Sequence, residues 1–177
     1  MAGDAASLSS VPAESSAAAE SPGTAGYSPA AGAAASVLRA ALVAEARGWI
    51  GTPYLHRASL KGAGADCLGL VRGVWRAVIG AEPEPLPAYA PDWAEATRAE
   101  HLAEAGLRHL VPVPVEAARP GDVLLFRWRA HLPAKHAAIL TTPDRMVHAH
   151  DGAAVAEVSL APWWRRRLAF AFAFPGA

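Results

Sequence analysis

"GAGADCLGLVRGVWRAVIG" (residues 62–80) decides the fold, because its two halves read as different kinds of structure. The glycine-rich start is a loop. Asp66 is a good helix N-cap. Cys67, Leu70, Val71, Val74 and Val78 then follow the i, i+3, i+4, i+7 spacing of an amphipathic helix. Cys67 is the only cysteine in the chain. It therefore heads the buried stripe, in the first helical turn. Gly69 and Gly73 each lower helix propensity by up to about 1 kcal/mol. Their missing side chains predict the close approach of another backbone.

Upstream, Ser36 and Gly48 bracket a helix over residues 36–47, with Val37, Leu38, Ala41, Leu42 and Glu45 near helical spacing. "WIGTPYLH" (49–56) is a turn. Downstream, "AEPEPLPAYAP" (81–91) is a proline-rich connector, and Asp92 with Glu95 forms a capping box for a third helix over roughly 93–110. From about residue 113 the texture changes to strands, in "PGDVLLFRWR" (120–129), "KHAAILTT" (135–142), "RMVHAH" (145–150), "AAVAEVSL" (153–160) and "RLAFAFAF" (167–174). The last alternates strictly, with Leu168, Phe170, Phe172 and Phe174 expected on one face. Helices first and antiparallel strands afterwards predict an α+β fold, with helices packed on one face of a sheet.

Residues 1–35 are rich in Ala, Ser, Gly and Pro and poor in large hydrophobes. They are expected to form a disordered tail, because they bury too little apolar area to offset the entropy of ordering. Residues 36–177 then form one domain, with 81–119 as a connector and extra helix. The zero net charge gives no sign of nucleic acid as a partner. No run of about 18 or more apolar residues predicts a membrane span. One cysteine excludes an internal disulfide and any multi-cysteine metal site. The first residues lack a basic start and apolar block, so synthesis in the cytoplasm without a signal peptide is expected. Action on the outside would then follow lysis or carriage on a particle.

A thiol becomes a good nucleophile as thiolate, and a helix N-terminus lowers its pKa. The first-turn N–H groups would also serve an oxyanion. Asp66 opposes the thiolate unless its side chain turns into the cap. A base must come from seven histidines, His56, His101, His109, His131, His136, His148 and His150. His101 and His109 fall on the third helix as solvated positions. His136 starts one strand, and His148 and His150 share a face of the next. Two strand histidines beside a helix-start cysteine fit a nucleophile, base and orienting group. Alternation alone does not choose between His148 and His150.

"GTPYLH" (51–56), "DCLG" (66–69), "PGDVLLF" (120–126), "KHAAIL" (135–140) and "MVHAH" (146–150) together resemble the NlpC-like family of cell-wall cysteine peptidases. The resemblance covers about residues 37–174. It implies a papain-like core, with N-terminal helices on a central antiparallel sheet, that cleaves amide bonds in peptidoglycan stem peptides without a cofactor or metal. It implies Cys67 as nucleophile, His136 as general base and His148 as the residue orienting that base. Tyr54 matches a family tyrosine at the oxyanion site, and Asp66 the aspartate before the cysteine. Leu68 departs from a serine that in many members helps bind a free substrate amine. "PDW" (91–93), the stretch 122–140 and "WRRR" (164–167) look closest to the branch encoded with phage tails and gene transfer agents. That branch implies tail or hub proteins as partners.

Two other readings are compatible with the residues. One is a catalytically inactive tail-hub or assembly component, docking through its N-terminus and "WWRRR" (163–167), a run otherwise expected as an edge strand with solvated arginines. The other is a zinc-dependent hydrolase using His136, His148, His150 and Asp151. The latter leaves the placement of Cys67 unexplained.

Overall fold

The computed structural model describes residues 29–85, 89 and 98–177 of the chain. In chain order the elements are α1 (Pro29–Arg47), β1 (Ser59–Leu60), β2 (Gly64–Ala65), α2 (Cys67–Val78), α3 (His101–His109), β3 (Val111–Val113), β4 (Val123–Phe126), β5 (His136–Thr142), β6 (Arg145–His148), β7 (Ala156–Ser159), α4 (Pro162–Arg165) and β8 (Leu168–Ala173). The main sheet has the order β3-β8-β4-β5-β6-β7, antiparallel throughout. β1 and β2 form a separate small hairpin. The architecture is α+β.

α1 starts at Pro29, seven residues before the expected Ser36. Proline is tolerated in the first turn, and the alanines that follow have the highest helix propensity. The rest of the expected tail, residues 1–28, lies outside the described residues. So do Asp92 and Glu95, and α3 is described only from His101. Within α1 the inward stripe runs through Leu38, Leu42 and Ala46, while Val37 is 71% exposed. It sits one position off that stripe.

α2 carries the expected face, with Leu70, Val71 and Val74 buried against the sheet and Cys67 and Val78 at the margin. Its two glycines admit different neighbours. A Cβ on Gly69 would lie 1.9 Å from the backbone oxygen of Ala58, the close backbone approach that was expected. A Cβ on Gly73 would lie 2.0 Å from the Trp49 ring, so here a side chain, the indole just after α1, enters the gap. The α1–α2 contact thus depends on an absent methyl group.

The sheet is buried on both sides. Val123, Leu125, Ile139, Val147, Phe172 and Phe174 face α1 and α2. Leu124, Phe126, Ala138, Leu140, Met146 and Ala171 form a second cluster on the other face, closed by Leu160 and Trp164. The expected common face of β8 breaks at its start. Leu125 pairs with Phe170 but Phe126 pairs with Leu168, so Ala169 is an extra residue. This bulge turns Leu168 to the second cluster and Ala169 to the first. "WWRRR" is also not a strand, since Trp163 to Arg165 belong to α4, which begins at Pro162.

Gly73→Ala tests the packing account. Helix propensity alone would stabilise α2 by about 1 kcal/mol. Overpacking against Trp49 is expected to win and to destabilise the protein by about 1–3 kcal/mol, read as a lower urea midpoint.

Candidate active site

Cys67 is the first residue of α2, and the capping side chain of Asp66 fixes where that helix begins. Asp66 Oδ1 accepts from the Gly69 N–H at 2.8 Å. Oδ2 accepts from the Arg57 N–H at 2.7 Å and from the Tyr89 hydroxyl at 2.5 Å. His56 Nδ1 lies 3.6 Å from the same oxygen. Asp66 is 3% exposed, so this carboxylate is held by the chain and not by water.

His136 opens β5 opposite Phe126 of β4. His148 closes β6, the next strand. The two rings meet with His136 Nε2 and His148 Nδ1 3.0 Å apart. Both histidines are buried, at 4% and 6% exposure. Trp164 and Trp128 stack on the His136 ring, with centroids at 5.4 and 5.7 Å and planes 26° and 24° apart. The two indoles are themselves 5.9 Å apart, so they flank the imidazole side by side.

A cleft of about 480 Å³ gathers Tyr54, Asp66, Cys67, His136, His150 and Asp151 around one opening, with Tyr89, Trp128 and Lys135 also on its walls. Tyr54 reaches it from a segment that bridges to Ala65, the residue before Asp66. Every site residue expected from the sequence except His148 lines this cleft, and His148 stands behind His136. His150 is exposed, its Nδ1 3.0 Å from the Asp151 carbonyl oxygen, so the strand ends before the second histidine. Geometry therefore makes His148, not His150, the hydrogen-bond partner of His136. The zinc-ligand reading is not supported by the arrangement. His136 and His148 spend a ring nitrogen on each other, and among the described residues no group of three or more His, Cys, Asp or Glu side chains converges as a metal-ligand set.

Electrostatics depart from the sequence expectation. Burial pushes the Cys67 thiol up to about 11, and the Asp66 carboxylate adds to the rise. The backbone amides of Ala137, Leu68 and Cys67 pull the other way without prevailing. The involvement of Ala137 places the sulfur against the start of β5, next to His136. Burial, with help from His148 and His150, holds His136 well below the usual imidazole range. Burial and then His150 lower His148 to about 4. Burial, then Cys67, Asp66 and Asp151, raise the Tyr54 hydroxyl. The resting pair is thus a thiol and a neutral imidazole. In the low-dielectric site the helix terminus does not outweigh desolvation of the anion.

Sequence reasoning did not find Tyr89, Trp128 or Trp164 at the site, and it gave His56 only as one of seven candidate bases. Trp128 had a usable signal, since it lies two residues after Phe126 and both rings approach His136.

Residues 51–171 match the NlpC/P60 family model. The chain belongs to the NlpC/P60 family. Among solved structures, it is similar to the NlpC/p60 domain of the peptidoglycan hydrolase SagA, with 25% identity and a TM-score of 0.53 over 77% of this chain and 98% of that one. It shares its fold with an NlpC/P60 family protein from Bacillus cereus, at 19% identity and TM-score 0.57, over 77% of this chain and 40% of that one. It likewise shares the fold of the peptidoglycan hydrolase RipB from Mycobacterium tuberculosis, at 18% identity and TM-score 0.52, over 83% and 71% of the two chains. No curated protein sequence matches it.

The buried neutral histidines set a pH dependence. Unfolded, each takes up a proton as pH falls through about 6.5. Folded, His148 resists until about 4, and burial likewise holds His136 well below its usual range. The unfolded state binds more protons in this window, so stability is full above about 6.5 and falls as pH drops towards 4. His148→Asn should reduce the slope of stability against pH between these limits by about one proton, read from urea unfolding at stepped pH.

Proposed function

We propose that this NlpC/P60 protein is a cysteine peptidase that hydrolyses amide bonds in peptidoglycan stem peptides, with Cys67 as nucleophile, His136 as general base and His148 as its orienting partner. The observation that carries the reading is the His136–His148 hydrogen bond on strands beside the helix-start cysteine. Family membership supports cell-wall hydrolysis, and SagA is a peptidoglycan hydrolase with a similar domain.

With His136 Nε2 committed to His148, Nδ1 is the nitrogen left to exchange a proton with the thiol. His136 therefore carries its resting proton on Nε2 and donates it to the Nδ1 lone pair of a neutral His148. When a peptide carbonyl enters the cleft, the Cys67 proton moves to Nδ1 as sulfur attacks carbon. The Cys67 backbone N–H and the Tyr54 hydroxyl, which shares the cleft with Cys67, are the donors for the developing oxyanion in this reading. The imidazolium then protonates the leaving amine, giving a thioester. Water, deprotonated by neutral His136, releases the acid and restores the thiol. Since the resting pair is neutral, proton transfer accompanies attack and does not precede it.

The setting we propose is a phage-like tail or gene transfer agent that carries the enzyme to the wall, with synthesis in the cytoplasm. The support is the sequence resemblance of residues 122–140 and 164–167 to that branch. Co-sedimentation of the protein with purified particles tests it, and recovery only in the free fraction refutes it.

Cys67→Ala is expected to reduce fragment release from purified sacculi by about three orders of magnitude or more, with an unchanged unfolding midpoint. Mass spectrometry of the wild-type digest identifies the bond. Full activity in the variant would refute the nucleophile assignment.

A further inference from the structure

A carboxylate beside a nucleophile is the natural counter-charge for an ammonium group on an incoming peptide. Asp66 is placed for that role, on the wall of the cleft and adjacent to Cys67. Three donors already reach it. Gly69 and Arg57 donate from the backbone, and Tyr89 donates from its hydroxyl. The two backbone donors belong to the helix cap and the preceding loop, so no substrate displaces them without undoing α2. Tyr89 is different. It reaches the cleft from the 81–91 connector, 23 residues beyond Asp66 in sequence.

A second set of contacts seats Tyr89. Its ring meets His56 edge to face at a centroid distance of 5.1 Å. His56 Nε2 lies 3.1 Å from the Tyr89 carbonyl oxygen, a bond in which the imidazole N–H donates. Burial and the Asp66 hydrogen bond also push the Tyr89 hydroxyl far up, so it remains a donor at every working pH. The hydroxyl reaches the carboxylate, while His56 holds the ring and the backbone carbonyl of the same residue.

We propose that Tyr89 is a specificity-determining residue: its hydroxyl occupies the Asp66 oxygen that a substrate ammonium would need, so the cleft accepts peptides without a free amine beside the scissile bond. The inference rests on the peptidase reading for its substrate, but the blocked carboxylate is testable without hydrolysis.

The test reacts Cys67 with a cationic thiol reagent, 2-aminoethyl methanethiosulfonate, and with its uncharged methyl analogue. Both meet the same thiolate fraction, so their rate ratio reads whether an ammonium is attracted. Asp66 keeps its charge in the wild type and acts on Cys67 there, so the wild-type ratio is the reference. In Tyr89→Phe, which keeps the ring on His56, it should rise by about fivefold, the effect of roughly 1 kcal/mol of attraction to an uncovered carboxylate. A ratio unchanged from the wild type in a folded Tyr89→Phe would overturn the proposal. A second arm compares stem peptides with free and acetylated amino termini. The wild type should cleave both with similar kcat/KM, and Tyr89→Phe should shift preference towards the free amine. Marked wild-type preference for the free amine overturns the proposal. Cleavage of neither peptide counts against the peptidase reading alone, and the reagent ratio then decides on Tyr89.

Discussion

Burial of the Asp66 charge is the constraint on which the rest of the site depends. An ionised carboxylate at 3% exposure persists only if its oxygens are hydrogen-bonded. The chain meets that need with one donor from α2, one from the loop before it and one from the connector. Each donor fixes a segment. Gly69 sets the first turn of α2 and so the position of Cys67. Arg57 is held at φ 65°, a left-handed conformation unfavourable for a side chain of its size, with its N–H aimed at the carboxylate. Tyr89 brings the connector onto the cleft.

The same charge shapes the chemistry. Asp66 lies one residue from the nucleophile and raises both the Cys67 thiol and the Tyr54 hydroxyl. It thereby disfavours the thiolate that the helix N-terminus favours. A charged ion pair at rest would also have to survive burial between two layers of the fold. In the proposed mechanism thiol and imidazole instead stay neutral until a substrate supplies an electrophile. This separates positioning, which the cap provides permanently, from activation, which accompanies the reaction.

Much of this was legible in the sequence because it rests on local rules. The Asp66 cap, the α2 stripe and the strands carrying His136 and His148 follow from side-chain type and spacing within a few residues. Alternation left His148 and His150 equivalent, because it does not say where a strand stops. The end of β6 at His148 makes the distinction. The displacement of Leu168 was invisible for a related reason, since a bulge is defined by the partner strand, and Phe126 lies over 40 residues away. Tyr89 and Trp164 come to the site from two distant segments. Nothing in their immediate neighbours encodes that meeting.

An imidazole at position 148, the proposed orienting group, fits the same electrostatics. A carboxylate in place of His148 would stabilise the His136 imidazolium strongly and raise its pKa. It would also put a second anion into a site where Asp66 already acts on the thiol. Neutral His148 accepts one hydrogen bond and fixes the ring of His136 without adding charge. Its own depressed pKa keeps that acceptor lone pair available across neutral pH. Trp164 serves both histidines, stacking on His136 and meeting His148 edge to face at 5.2 Å. The indole keeps water from the pair, which maintains their low basicity. The geometry of the base and its neutrality at rest are therefore products of one packing arrangement. A substitution that admits water at Trp164 would relax both together.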